Sequence, residues 1–103
     1  MRYEWDERKN IENQRKHAGI SFEVAMLVFE DEHGLIRLDR VDETGELRWH
    51  AIGAVLVRRG IDAVLLVVHA YRESKDGEET IRIISARLAG KYDLRRYQEQ
   101  EVD

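Results

Sequence analysis

Cysteine and proline are both absent from this 103-residue chain. Without cysteine there is no disulfide, thiolate nucleophile or cysteine-based zinc site, which fits a reducing cytosol. Long apolar runs are missing as well, because the longest, Ala63–Val68, is far short of the ~20 residues that a membrane helix needs. We therefore expect a cytoplasmic protein that has no membrane association.

The composition is that of a small globular protein with a strongly charged surface, since 43% of the residues are apolar and 37% are charged. The length suits one core, and no repeat or low-complexity tract divides the chain. We predict a single domain over residues 1–103.

The net charge of −4 argues against a general nucleic-acid binder, which is usually basic overall. An RNA-binding role would need basic residues gathered on one face. Acidic residues dominate the segments 30–46 and 73–79. Basic residues gather early and late in the chain, at Arg8, Lys9, Arg15, Lys16, Arg82, Arg87, Lys91, Arg95 and Arg96.

Two helices are predicted after a short strand at Tyr3–Trp5. Asp6 is placed to cap the first helix, which we expect to end at Gly19 and to face mostly water, because its apolar residues are sparse. Ser21 caps the second, whose apolar face follows helical spacing at Phe22, Ala25, Met26 and Phe29. The two would form a helical hairpin.

The rest of the chain reads as four strands and a final helix, at Leu35–Leu38, Arg48–Val57, Ala63–Tyr71, Thr80–Arg87 and Lys91–Gln100. Short loops between the strands predict an antiparallel meander. The fold class is therefore α+β, with an N-terminal helical hairpin packed on one face of an antiparallel four- to five-stranded sheet and a C-terminal helix.

Four blocks of the sequence, in order and spanning nearly the whole chain, resemble BrnT-type toxins of type II toxin–antitoxin systems: YEWDERKNIENQRKHAGISFEVAMLVFED, ELRWHAIGAV, LLVVHAYRE and IRIISARLAGKYDLRRYQE. This chain departs from the family pattern by carrying Ala18 between His17 and Gly19, which shifts the expected helix end. The resemblance implies a RelE-like fold, an RNA-cleaving activity that inhibits translation, and neutralisation by a BrnA-like antitoxin, through which alone the protein would meet DNA.

Metal-independent RNA cleavage needs a base for the 2′-hydroxyl, an acid for the leaving oxygen and cations for the charged phosphorane. Arginine suits the last role because its planar fork binds two phosphate oxygens and keeps its charge. No histidine pair has helical metal-site spacing, so we expect no metal and no cofactor.

Arg72, Arg82 and Arg87 are the candidate phosphate-binding residues. Regular alternation places Arg82 and Arg87 on opposite faces of the last strand, so that both can reach one cleft only if a bulge intervenes. The alternative is structural ion pairing, for Arg72 with its neighbour Glu73.

His69 is the candidate acid or base, since an imidazole titrates near neutral pH. The alternative is a core histidine bonded to backbone, because His69 follows two valines in an apolar strand, and alternation points it away from Arg72. His33 and His50 are less informative, and His50 is expected to face solvent.

Candidate RNA-binding residues lie at the ends of the first and last helices. The alternatives are favourable helix-dipole contacts for the first two and a solvated helix face for the others. These candidates are Lys16, His17, Lys91, Arg95, Arg96 and Tyr97.

A second hypothesis is a non-catalytic module that binds an antitoxin-like partner through the sheet edge and the terminal helix. The acidic balance and the lack of an evident acid/base pair favour it. Growth arrest on expression would favour the nuclease, whereas harmless expression would favour the module.

Overall fold

The computed structural model describes residues 1–58 and 61–100. The helices and strands follow one another as β1 (Arg2–Glu4), α1 (Glu7–Lys16), α2 (Phe22–Ala25), a 3₁₀ helix (Met26–Glu30), β2 (Leu35–Val41), β3 (Leu47–Arg58), β4 (Ile61–Glu73), β5 (Glu79–Leu88) and α3 (Lys91–Glu99). The α+β class and the order of elements agree with the prediction.

The five strands form one mixed sheet in the order β1-β5-β4-β3-β2. β2 to β5 are an antiparallel meander, but β1 pairs with β5 in parallel, with Tyr3 opposite Ile81. The prediction of a purely antiparallel sheet is therefore wrong for β1. The reason is that β1 leads into helices rather than a hairpin, so that the chain crosses the sheet before the meander begins.

α1 begins as predicted, since the Asp6 carboxylate accepts hydrogen bonds from the backbone N–H groups of Arg8 and Lys9. The helix ends at Lys16, earlier than the predicted end at Gly19. Ala18 takes the left-handed conformation (φ 51°), and the Gly19 N–H, one residue later, donates to the Gln14 carbonyl at 2.9 Å. This is a Schellman ending with alanine where glycine is usual.

The second arm of the predicted hairpin is not one regular α-helix. One α-helical turn, α2, passes directly into the 3₁₀ helix. The buried residues here are Phe22, Ala25 and Val28, spaced three apart, and residues three apart lie above one another in a 3₁₀ helix. The spacing of apolar residues in the sequence is compatible with both an α-helix and a 3₁₀ helix. The 3₁₀ helix forms because its buried residues then pack in one row against the sheet.

The core lies between these helices and one face of the sheet, which we call the helix face. Its sheet residues alternate along the strands, and the helical segment adds Ile20, Phe22, Ala25 and Val28. The helix face consists of Ala51, Val55, Leu65, Val67, Ile81, Ile83 and Ala86.

A β-bulge in β5 changes which side chains share a face. Val68 pairs with Ser85, but the next residue, His69, pairs with Ile83, which leaves Ile84 as the extra residue of β5. The buried core positions of β5 accordingly run Ile81, Ile83 and then Ala86. The bulge therefore places Arg82 and Arg87 on the same side of the sheet, opposite the core.

Candidate functional site

The face of the sheet opposite α1, α2 and the 3₁₀ helix is rich in charged side chains, and we call it the charged face. It is defined by Arg37, Arg48, His50, Arg72, Arg82, Ser85 and Arg87. All three candidate arginines lie on it. Arg82 stands opposite Ala70 and Arg87 opposite Leu66, and four residues of strand separate these positions by ~13 Å along the sheet.

Arg72 and Arg82 are each paired with carboxylates. Arg72 donates to Glu46 from Nε (3.2 Å) and Nη2 (3.3 Å), and its Nη1 lies 3.9 Å from the Glu4 carboxylate. Arg82 Nη1 donates to the same Glu4 at 2.7 Å. The expected partner Glu73 is not involved. Both arginines are partly exposed, so these pairs are weak and open to competition from another anion.

Arg87 differs from the other two arginines. Its Nη1 donates to the Leu88 carbonyl at 3.3 Å, and no carboxylate of the described residues lies within ion-pair distance of it. It is exposed. Among the three candidates, Arg87 therefore has a positive charge that no acid of the described residues balances.

His69 does not join the arginines, because it is fully buried on the helix face. Its ring meets Phe29 and Tyr71 edge-on, with centroids 4.8 and 5.0 Å away, and its Nδ1 lies 3.3 Å from the Val67 carbonyl. Burial lowers the pKa of His69 to about 4. The structure thus has the core histidine bonded to backbone that was the alternative interpretation.

His50 is the histidine on the charged face. Its Nδ1 lies 3.3 Å from Nη2 of Arg37, the residue opposite it on β2, and its Nε2 lies 3.4 Å from Asp39. Burial lowers its pKa, Asp39 opposes that shift and Arg37 adds to it. The imidazole is therefore neutral near pH 7.

α3 contributes a carboxylate to this arrangement. The buried Asp93 lies 2.8 Å from Arg37 Nη2, although its oxygen is not aligned for a hydrogen bond, so the contact is an ion pair. Arg37 thus lies between Asp93 and the His50 ring. Sequence analysis missed the group formed by Arg37, His50 and Asp93, because it depends on the register of β2 against β3. Alternation along β3 alone could have shown only that His50 and Arg48 share a face.

Two of the candidate RNA-binding residues lie beside Arg87. Lys16 and His17 border a groove between the end of α1 and β5, whose opposite wall includes Arg87 and Leu88. The same two residues also border an adjoining groove with Ser85. The C-terminal end of α1 therefore extends the positive surface of Arg87.

The four candidates on α3 are in different situations. Lys91 and Arg95 are exposed, and neither meets a carboxylate at ion-pair distance in the part of the chain that is described. Arg96 lies over the exposed Tyr92 ring, 5.8 Å from its centroid. The Tyr97 hydroxyl donates to Asp31, which ties α3 to the loop before β2, so Tyr97 holds the helix in place.

Within residues 1–58 and 61–100, no group of three or more histidine, aspartate or glutamate side chains is arranged to hold a metal ion. No helix in these residues is long and apolar enough to cross a membrane.

Comparison with known proteins identifies the family. A comparison with the curated proteins finds no match. Residues 5–93, most of the chain, match the family model described as the ribonuclease toxin BrnT of type II toxin–antitoxin systems. This agrees with the resemblance of the four sequence blocks. The chain therefore belongs to the BrnT family of ribonuclease toxins, which act with an antitoxin partner.

Proposed function

We propose that the chain is a metal-independent endoribonuclease that cleaves RNA on the charged face, with His50 as the base and Arg87 and Arg37 as the phosphate-binding residues. The observation that carries this proposal is the contact between Arg37 and His50, whose side chain is mostly buried, on the same face as Arg87, which meets no carboxylate of the described residues. An imidazole that is unprotonated near neutral pH is suited to remove a proton from a hydroxyl.

The reaction follows from these positions. A bound phosphate would draw the Arg37 guanidinium away from Nδ1 of His50, which then accepts the 2′-hydroxyl proton. The 2′-oxygen attacks the adjacent phosphorus, the bond to the 5′-oxygen breaks, and that oxygen leaves with a proton from water. The products are a 2′,3′-cyclic phosphate and a 5′-hydroxyl. Arg87 stabilises the extra negative charge of the phosphorane.

Arg72 and Arg82, which the sequence suggested as catalytic, have a secondary part in this proposal. They would bind flanking phosphates after these displace Glu4 and Glu46, at the expense of the existing ion pairs. His69 has no part in the chemistry, since it is buried on the opposite face.

The RNA strand would continue from Arg87 toward Lys16 and His17, which share a groove with it. Lys91 and Arg95 are exposed cations that could contact the same strand, and Arg96 would contribute more weakly. Such local positive charge allows RNA binding by a chain whose net charge is negative. Tyr97 is expected to act by positioning α3 rather than by stacking on a base.

The biological setting that we propose is the one that the family suggests. The RNA substrate and the absence of cysteine support a cytoplasmic location, where cleavage would inhibit translation. A BrnA-like antitoxin would neutralise the toxin and would provide its only contact with DNA. The non-catalytic alternative is disfavoured because the family is one of ribonucleases.

The experiment is a cleavage assay of a defined single-stranded RNA with EDTA present. Wild-type protein should produce 2′,3′-cyclic phosphate ends, and His50→Ala should cleave at least ~100-fold more slowly, the usual size of a lost general base. His33→Ala is the matched control, because His33 is exposed and outside the charged face. Full activity of His50→Ala would refute the assignment, and a requirement for divalent metal would refute the mechanism.

A further inference from the structure

Four apolar side chains lie exposed along the outer edge of the sheet, and we call them the edge stripe. They share the helix-face side of the sheet, because Ile36 stands opposite Ala51 of the helix face. Leu38 and Val41 stand opposite Trp49 and Leu47, which alternate with Ala51 along β3. α1, α2 and the 3₁₀ helix leave them uncovered. The edge stripe consists of Ile36, Leu38, Val41 and Leu47, with exposed fractions of 53, 50, 57 and 45%.

An exposed apolar group of this kind is typical of a protein interaction site. β2 is the last strand of the sheet, but its outer edge is poorly suited to pairing with another strand. The register shifts between Leu38 and Arg40, so the strand is irregular at Asp39. Bulges and charged residues on an edge strand discourage strand addition. Binding would therefore use the side chains of the stripe rather than the strand's backbone.

The charges around the edge stripe select among partners. Residues 30–46 carry seven carboxylates against two arginines. Two of these carboxylates, Asp42 and Glu46, are paired with Arg48 and Arg72 from outside the segment. Glu30, Glu32 and Glu43 are exposed. This acidic rim would repel RNA. It would equally repel the same rim on a second copy of the chain.

We infer that the edge stripe and its acidic rim are the docking surface for a basic segment of the antitoxin that has apolar residues on one side. The inference rests on the proposed antitoxin pairing and adds where the antitoxin binds. Apolar contact would supply most of the affinity, whereas the rim would accelerate association and make it salt-dependent. The stripe and His50 lie on opposite sides of the sheet, so variants can separate antitoxin binding from RNA cleavage.

The test is calorimetric titration of purified variants with the product of the adjoining reading frame, which we expect to encode the antitoxin. Leu38→Lys replaces an apolar contact with a charge that repels a basic partner, and it should weaken binding at least ~10-fold. Its matched control is Leu56→Lys, which alters a leucine outside the stripe that is 62% exposed, somewhat more than Leu38. That control should bind within about twofold of wild type, and Leu38→Lys, which lies on the side of the sheet away from His50, should keep its cleavage rate.

A charge-neutral pair, Glu30→Gln with Glu32→Gln, should weaken binding severalfold at low salt and flatten its salt dependence. The inference is overturned if Leu38→Lys binds like wild type, or if Leu56→Lys weakens binding as much. It is also overturned if wild type sediments as a dimer that Leu38→Lys dissociates while antitoxin affinity is unchanged. A wild-type chain that binds no antitoxin would instead refute the pairing itself, whatever the cleavage assay shows.

Discussion

Asn13 and Ala86 form a closed pair of hydrogen bonds between α1 and β5. The Asn13 amide nitrogen donates to the Ala86 carbonyl at 2.8 Å, and the Ala86 N–H donates to the Asn13 side-chain oxygen at 3.0 Å. The second amide hydrogen goes to the Ile20 carbonyl at 2.9 Å. β1 pairs with β5 only at residues 80–82, so Asn13 binds the backbone of β5 beyond the point where β1 ends.

Asn13→Ala should therefore lower the free energy of unfolding by about 3 kcal/mol, because it leaves buried backbone groups of Ala86 and Ile20 unsatisfied. Urea denaturation monitored by circular dichroism would measure this loss. Glu12→Ala is the control on the same helix. It removes an exposed ion pair with Lys16 and should change stability by less than about 1 kcal/mol. Equal effects of the two substitutions would contradict the role given to Asn13.

Ala18→Gly should stabilise the protein by about 0.5–1 kcal/mol. Ala18 has φ 51°, a conformation that costs an L-residue roughly 1–2 kcal/mol. Glycine avoids this cost, but it also raises the conformational entropy of the unfolded chain, which offsets part of the stabilisation. Thermal unfolding would show a higher midpoint. Ala89→Gly is a suitable control, since Ala89 is not among the residues with positive φ, and it should not stabilise. A destabilised Ala18→Gly would contradict the strain inferred here.

The strands were predictable because their alternating or continuous apolar residues reflect burial directly. β2 to β5 extend the predicted strands by up to a few residues, whereas β1 lies one residue earlier than predicted. α1 faces mostly water, as expected from its sparse apolar residues, but its contacts with the rest of the fold are made by the buried amides of Asn10 and Asn13. No hydrophobic pattern records such contacts.

The site was harder to predict than the fold. Regular alternation separates Arg82 from Arg87, and only the bulge at Ile84 brings them onto one face. His50 gained its partner Arg37 from the register of two strands, and Arg37 in turn pairs with Asp93 on a distant helix. His69 was attractive as a titratable residue, yet its neighbours Val67 and Val68 already indicated the burial that the structure shows.

His69 should make stability depend on pH. Its pKa is about 4 when folded and about 6.5 when unfolded. The unfolded chain thus binds a proton that the folded chain does not, and stability present above pH 6.5 is lost as the pH falls toward 4, by up to about 3 kcal/mol. Denaturation curves at several pH values would measure this loss. His69→Leu should remove this part of the dependence, and an unchanged pH profile in that variant would contradict the burial argument.

Arg87 and Arg82 should differ in their contribution to cleavage. Arg87 is free to bind phosphate, whereas Arg82 must first leave Glu4. Arg87→Ala should reduce kcat/KM by ~10–100-fold, the effect of losing a charged hydrogen bond, and Arg82→Ala by considerably less. Glu4→Gln, which releases Arg82, should lower KM. A larger loss from Arg82→Ala than from Arg87→Ala would favour the other end of the charged face as the reaction centre.

The pH dependence of cleavage should report the protonation of His50. Because burial lowers the pKa of this residue in the folded protein, the imidazole stays neutral and competent as a base across the neutral range. The rate should therefore be level near pH 7 and fall only as the pH drops below the ordinary histidine value of about 6.5. Arg37→Gln removes one cause of the lowered pKa and should move this acid limb to higher pH. A metal-free pH–rate profile would measure both, and a limb that Arg37→Gln leaves in place would mean that some group other than His50 accepts the 2′-hydroxyl proton.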